Sequence, residues 1–397
     1  MEKRALFCLA LILFSTGVFF VSNHCLRGSL RSEIYLAKEI KTPLDSIAQY
    51  KIASEAPFKY RLLFPQIIKG TFYTFYDEQD TLGFYRTYRA WSLCFYITSV
   101  LAMFWLLTTC GFNNIFSFFG ALLFVLLPPM LMAFSLPVHT REDTLGYILF
   151  FSGIVFMLKK KNTLFVLIAC LGVLCRETLL LLPLLYFFYG DNTWVNRFVM
   201  AAVPGILWLS LRLIMGHDEY DVWLGLKWNL DNPEQVIGFL FITFNVCWLP
   251  FLFNIIGFRK GNSVNDANRK FFFRTAWFSL LVILVTTFVG GIYNEIRLLY
   301  LFSPWIIIIT LDYIERNRTS IYNMLQNKKY WMYGGVCFII SGILMYFVLR
   351  YQDMLIVPGK YAVPYDLWII LSVCYIFILL LSLPFFIQHL SLKKSIK

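Results

Sequence analysis

Residues 145–190 read LGYILFFSGIVFMLKKKNTLFVLIACLGVLCRETLLLLPLLYFFYG. Three apolar runs, 145–158, 163–175 and 178–190, are divided only by Lys159-Lys160-Lys161 and by Arg176-Glu177. A helix that crosses a bilayer needs about 20 apolar residues at about 1.5 Å rise each. These runs are shorter, so the stretch predicts helices that are tilted, broken or buried in protein rather than lipid.

Working outward, further apolar runs lie at 5–23, 88–110, 115–136, 198–215, 236–258, 271–292, 298–314, 331–350 and 367–388. Together they predict an all-α polytopic membrane protein with about twelve transmembrane helices. Composition agrees. Only 15% of residues are charged while 59% are hydrophobic, against roughly 25% charged in a soluble domain. A water-soluble fold of this length could not hide so much apolar surface. Met1–Arg4 is basic and 5–21 apolar, but no small-x-small cleavage site follows, so an uncleaved first span is expected.

The net charge of +12 does not point to nucleic acid, because the basic residues sit in short clusters between apolar runs. Glu2-Lys3-Arg4, Lys159–Lys161, Arg259-Lys260, Arg269-Lys270, Arg316 to Lys329 and Lys393-Lys394 all fall on one side if the count is twelve. By the positive-inside rule that side is cytoplasmic, and both termini lie there. The chain shows no internal repeat and no separate soluble domain, so 1–397 is read as one transmembrane domain. Its cysteines show no CxxC pair and no regular spacing, which predicts neither a disulfide framework nor a zinc site.

The opposite face collects the unusual residues. The loop 24–87 is its longest, and two apolar stripes in it (Ile34, Leu36, Ala37, Ile40, then Ile67, Ile68, Phe72, Phe75) suggest amphipathic interfacial helices. Asp45 in this loop is a candidate general base for an incoming hydroxyl; the alternative is a helix N-cap. Glu33 and Glu39 are competing carboxylates. Arg61 is suited to grip a phosphate bidentately, or else to snorkel to the interface. His139, Arg141, Glu142 and Asp143 crowd the start of the run at 145; acids in a first helical turn also simply answer the helix dipole. Arg176-Glu177 interrupts two apolar runs, where an ionised group costs several kcal/mol unless paired or wet. Glu295 and Arg297 form a last outer-face group, or a polar turn with interface anchors. His217-Asp218-Glu219 has no recognised ligand spacing and reads as a solvated loop. No P-loop, GxGxxG after a strand, or GxSxG appears.

Asp45, Tyr50, Ala53, Pro57, Phe58, Tyr60, Arg61, Leu63 and Pro65, with the Arg-Glu pair at 176–177 and Glu-x-Arg at 295–297, resemble motifs of bacterial members of the GT-C superfamily of glycosyltransferases. The likeness also covers the many spans and the long first outer loop. In many members the key acid closely follows the first span; here that place holds Asn23, His24 and Arg27, with Glu33 later. The resemblance implies a polyprenyl-phosphate-linked sugar as donor and a lipid, glycan or protein as acceptor, at the outer face of a bacterial cytoplasmic membrane. It implies Asp45 as base and Arg61, Arg176 or Arg297 at the phosphate; Tyr50, Tyr60, Glu177 and Glu295 belong to its motifs, and with His139, Arg141, Glu142 and Asp143, singled out above, they make up the candidate substrate site. No cofactor is fixed by these residues, and a divalent cation stays open. The competing readings are a transporter or flippase of lipid-linked glycans, an O-antigen-type polymerase, and a non-catalytic scaffold. Membrane lipids are partners in every case.

Overall fold

The computed structural model describes residues 2–25, 61–77, 80–131, 141–215, 222–231, 243–259, 266–290 and 299–326, with single positions between 233 and 343. Among the described residues every regular element is helical. The helices are α1 (Glu2–Cys25), α2 (Leu63–Phe75), α3 (Thr81–Thr109), α4 (Asn114–Leu126), α5 (Pro128–Leu131), α6 (Arg141–Leu158), α7 (Asn162–Cys175), α8 (Leu181–Tyr189), α9 (Trp194–Ile214), α10 (Val222–Asp231), α11 (Trp248–Arg259), α12 (Ala267–Gly290), α13 (Ser303–Arg316) and α14 (Arg318–Gln326). Segments within α1, α3, α9 and α12 are long and apolar enough to cross a membrane. α9 turns Val195, Phe198, Ile206, Leu213 and Ile214 outward, and Pro204 is its one buried residue. A continuous exposed apolar face of this kind is what a helix against lipid presents. The chain is a membrane protein by these features.

The short runs that open the sequence pack back on themselves. Lys159–Lys161 turns α6 into α7, and a 3₁₀ turn at Glu177–Leu180 turns α7 into α8. The Tyr186 hydroxyl donates to Asn162 Oδ1 at 2.8 Å, which returns the end of α8 to the start of α7. α6 and α13 form the centre. Residues Glu142 to Tyr147 of α6 and Ser303 to Tyr313 of α13 are buried in unbroken runs. Stacked rings pack around them: Phe124 on Tyr300 at 5.2 Å, Phe244 on Tyr300 at 5.8 Å, and Phe302 on Trp305 at 5.4 Å. Trp305 satisfies its indole N–H on Thr275 Oγ1 at 2.8 Å, as buried indoles usually do.

Contacts sort the helix ends into two groups. Arg4 donates to Thr108, Lys159 lies over Trp105, and Arg269 and Asn268 donate to the carbonyls of Cys110, Gly111 and Thr109. One end of the bundle therefore gathers the basic loops. The other gathers Arg61, Glu142, Asp143, Arg176 and Glu177.

Several boundaries differ from the sequence expectation. The run 115–136 is not one helix: α4 stops at Leu126 and Leu127 is extended. The cause is Pro128-Pro129, since a residue before proline is pushed out of the α region. α3 begins at Thr81 rather than 88, capped by Asp80, which accepts from Gly83 N at 2.8 Å. Within 236–258 a 3₁₀ turn at Asn245–Cys247 precedes α11, and the loop after 217 contains α10. The stripe after Pro65 does form a helix, α2, but its buried face is Phe64, Ile68, Lys69 and Phe72, with Phe75 exposed. The first stripe and the run at 367–388 lie outside the described residues, as does most of 331–350.

Gly111 shapes the α3–α4 turn. Its φ is +76°, and a Cβ there would collide with the Asp266 carboxylate, which itself caps α12 by accepting from Asn268 N at 2.8 Å. Gly111→Ala is expected to cost about 1–2 kcal/mol, from the left-handed backbone alone. Thermal unfolding of the detergent-solubilised protein reads it as a lower midpoint.

Candidate functional site

Three segments far apart in sequence supply the site. Arg61 lies immediately before α2 and is held by the burial of Phe64 and Ile68 beneath it. Glu142 and Asp143 occupy the first turn of α6, where acids are favoured by the dipole. Arg176 is extended (φ −163°, ψ 134°) at the tip between α7 and the 3₁₀ turn that Glu177 begins. The tip is tightened by Arg176 N donating to Gly172 O at 2.7 Å and Leu179 N donating to Arg176 O at 3.1 Å.

At this end Arg61 bridges two carboxylates. Its Nη2 and Nε donate to Glu177 Oε1 and Oε2 at 2.9 and 3.3 Å, and its Nη1 donates to Glu142 Oε1. Arg176 Nη1 pairs with Asp143. The Cys175 thiol donates to the Glu142 carbonyl at 3.7 Å, which ties the tip to α6 a second time. Burial works against the charge of Arg61, but Glu142 and Glu177 more than offset it and hold the guanidinium above its ordinary pKa. Arg61 therefore stays a cation throughout the physiological range.

The group is buried but not uniformly. The side chains of Arg61, Glu142, Asp143 and Arg176 are 3–8% exposed, whereas that of Glu177 is 24% exposed. Two guanidiniums face three carboxylates, and all are within reach of one another through Arg61 and the 176–177 peptide. Such an assembly is costly to bury and persists where its geometry is good. It can hold an anion on a guanidinium, or accept a proton on a carboxylate that has lost its partner.

The structure thus brings together Arg61, Glu142, Asp143, Arg176 and Glu177, from three of the constellations singled out in the sequence. Arg141 opens α6 beside them. Asp45, Tyr50, Tyr60, His139, Glu295 and Arg297 lie outside the described residues, as do Glu33 and Glu39. Among the described residues no group of His, Cys, Asp and Glu is arranged to hold a metal ion.

A second charged group was not anticipated. At the opposite end Arg269 donates to Asp312 at 3.2 Å, to Glu315 at 2.6 Å, and to the carbonyls of Cys110 and Gly111 at 2.9 and 3.1 Å. Its guanidinium carbon sits 3.7 Å from the centre of the Phe112 ring. Arg316 and Asn254 also hold Asp312, at 2.9 and 3.0 Å. The available sign was Asp312 itself, an acid inside an apolar run; its partners come from other helices. Lys69, buried on α2, gave no signal beyond its position in an apolar stripe.

Compared with protein-family models, curated proteins and solved structures, the chain matches none of them.

Proposed function

We propose that the chain is a GT-C-type glycosyltransferase with about twelve spans. It would move a sugar from a polyprenyl-phosphate carrier to a glycan, lipid or protein acceptor. In this reading the Arg61 end faces the outside of a bacterial cytoplasmic membrane and both termini are cytoplasmic. The observation that carries it is the meeting of Arg61 with Glu177 across 116 residues. These belong to two of the short motifs on which the resemblance rests, and nothing local in the sequence requires them to touch.

The chemistry follows from the residue types. The donor phosphate lies on Arg61 or Arg176, with Arg297 as a further candidate. Asp45 takes the proton of the acceptor hydroxyl as its oxygen bonds to the anomeric carbon. The bond from that carbon to the phosphate oxygen breaks, and the arginines stabilise the charge left on the carrier phosphate. Tyr50, Tyr60, His139, Arg141, Glu142, Asp143, Glu177 and Glu295 are the proposed surroundings of the substrate.

A transporter or flippase needs a polar path along the bundle. Among the described residues Phe124, Tyr147, Phe151, Phe244 and Tyr300 are buried in a chain of ring contacts away from both charged groups. That packing favours chemistry at one end over passage through the middle. The test is mass spectrometry of surface and lipid-linked glycans in cells that lack the gene, and in cells that carry the wild type or Asp45→Asn at matched protein level. The deletion and Asp45→Asn are both expected to lack the same sugar. Normal glycans in the deletion, with the gene expressed in the parent, would overturn the transferase reading.

A further inference from the structure

The way Arg61 is held distinguishes its two carboxylates. Glu177 takes the Nε and Nη2 edge of the guanidinium with both oxygens, at 3.3 and 2.9 Å. That edge is the fork with which an arginine grips a phosphate. Glu142 uses only Nη1, from the first turn of the long and buried α6. Glu177 stands instead on a four-residue 3₁₀ turn, the less regular and more easily rearranged kind of helix. Its side chain is 24% exposed against 8% for Glu142. The nearby Arg176 is answered by Asp143, 3% exposed and again on α6.

We propose that Glu177 is an internal stand-in for substrate: its carboxylate fills the phosphate seat on Arg61 until a phosphoanion displaces it. This rests on the reading of the site as one for a lipid-linked phosphate. Glu142 remains on Nη1 during the exchange, so Arg61 never stands unpaired in its buried position. Without an occupant the fork would be a desolvated cation, which is costly. With Glu177 in place the empty site is stable, and binding becomes an exchange of one anion for another. The affinity for phosphate is then reduced by whatever Glu177 contributes, which makes a definite sign for the test. A residue that merely supports the site would weaken binding when altered. Glu177 is expected to strengthen it.

The measurement is binding of farnesyl phosphate, a short polyprenyl monophosphate, and of farnesol to the purified full-length protein in detergent micelles by calorimetry. Wild type, Glu177→Gln and Arg61→Gln are compared. Glu177→Gln is expected to bind farnesyl phosphate roughly tenfold tighter than wild type, which is about 1.4 kcal/mol, with farnesol unchanged. Arg61→Gln is expected to lose the preference for farnesyl phosphate over farnesol. Should Glu177→Gln fail to fold, Glu177→Asp serves, because the shorter carboxylate cannot reach both nitrogens of the fork; the same tightening is expected. Equal or weaker binding in the Glu177 variant, with Arg61→Gln still abolishing the preference, would overturn the stand-in role and leave the phosphate site intact. No preference for farnesyl phosphate in any protein would overturn both.

Discussion

Arg61→Met is expected to lower the stability of the folded protein by about 3–5 kcal/mol, the cost of breaking a buried ion pair from one side. The size follows from what is left behind. Glu142 and Glu177 both lose the cation between them, and the Glu142 side chain is 8% exposed. Two carboxylates then share a desolvated place and one must take up a proton or draw in water. The variant Arg61→Lys keeps the charge but not the three-point contact, so it should fall between. Adding Glu142→Leu and Glu177→Leu to Arg61→Met replaces all three charged groups by apolar ones and should recover most of the loss, because no buried charge or hydrogen-bonding group of the set is left unpaired. Activity would not return with it. Unfolding in a defined detergent, followed by circular dichroism, measures each step. An unchanged midpoint in Arg61→Met would mean that solvent reaches these carboxylates freely, against their burial.

The second large effect is expected at the other end. Arg269→Ala removes the donor to two backbone carbonyls and two carboxylates at once, and the ring contact with Phe112. We expect about 3 kcal/mol, the low end of the range for buried pairs, since Arg316 and Asn254 still hold Asp312. Arg269→Lys should recover little, because an ammonium cannot span the turn at Cys110–Gly111 and the end of α13 together. A double-mutant cycle with Asp312→Asn should show coupling on the order of 1–3 kcal/mol. The unfolding midpoint is again the readout, and additive effects would show that the two side chains act independently.

The two ends were not equally legible in the sequence. Apolar run length placed α1, α6, α7, α8, α9 and α12, and the end of α3, within a few residues, because a bilayer imposes one strong demand on length and composition. The break at Leu127 was signalled by Pro128-Pro129, yet an unbroken apolar run hides such a break when hydropathy alone is followed. A charged pair between two apolar runs marked Arg176 and Glu177 by its cost, and the crowd of titratable residues at the start of the run at 145 marked Glu142 and Asp143. What no local pattern could give is who meets whom. Arg61 reaches Glu142 across 81 residues and Glu177 across 116, and those contacts are made by the packing of α2, α6 and the α7–α8 tip. Arg269 with Asp312 is the same case, with the sign of one partner visible and the pairing set by three helices.

The shortness of the α7–α8 hairpin bears on how the protein is made. α7 has 14 residues and α8 has 9, lengths of about 21 and 14 Å at the usual helical rise, against about 30 Å of hydrocarbon. Its charged tip would therefore sit below the membrane surface, facing acyl chains, if the hairpin entered lipid by itself. Inserted as two independent helices, it would leave Arg176 and Glu177 unpaired at that depth, at a cost of several kcal/mol. Docking relieves this: α6, synthesised just before it, carries Asp143 for Arg176, and Arg61, synthesised earlier still, answers Glu177. Along the chain Asp143 precedes Arg176 and Arg61 precedes Glu177, so each charge of the tip is synthesised after its partner.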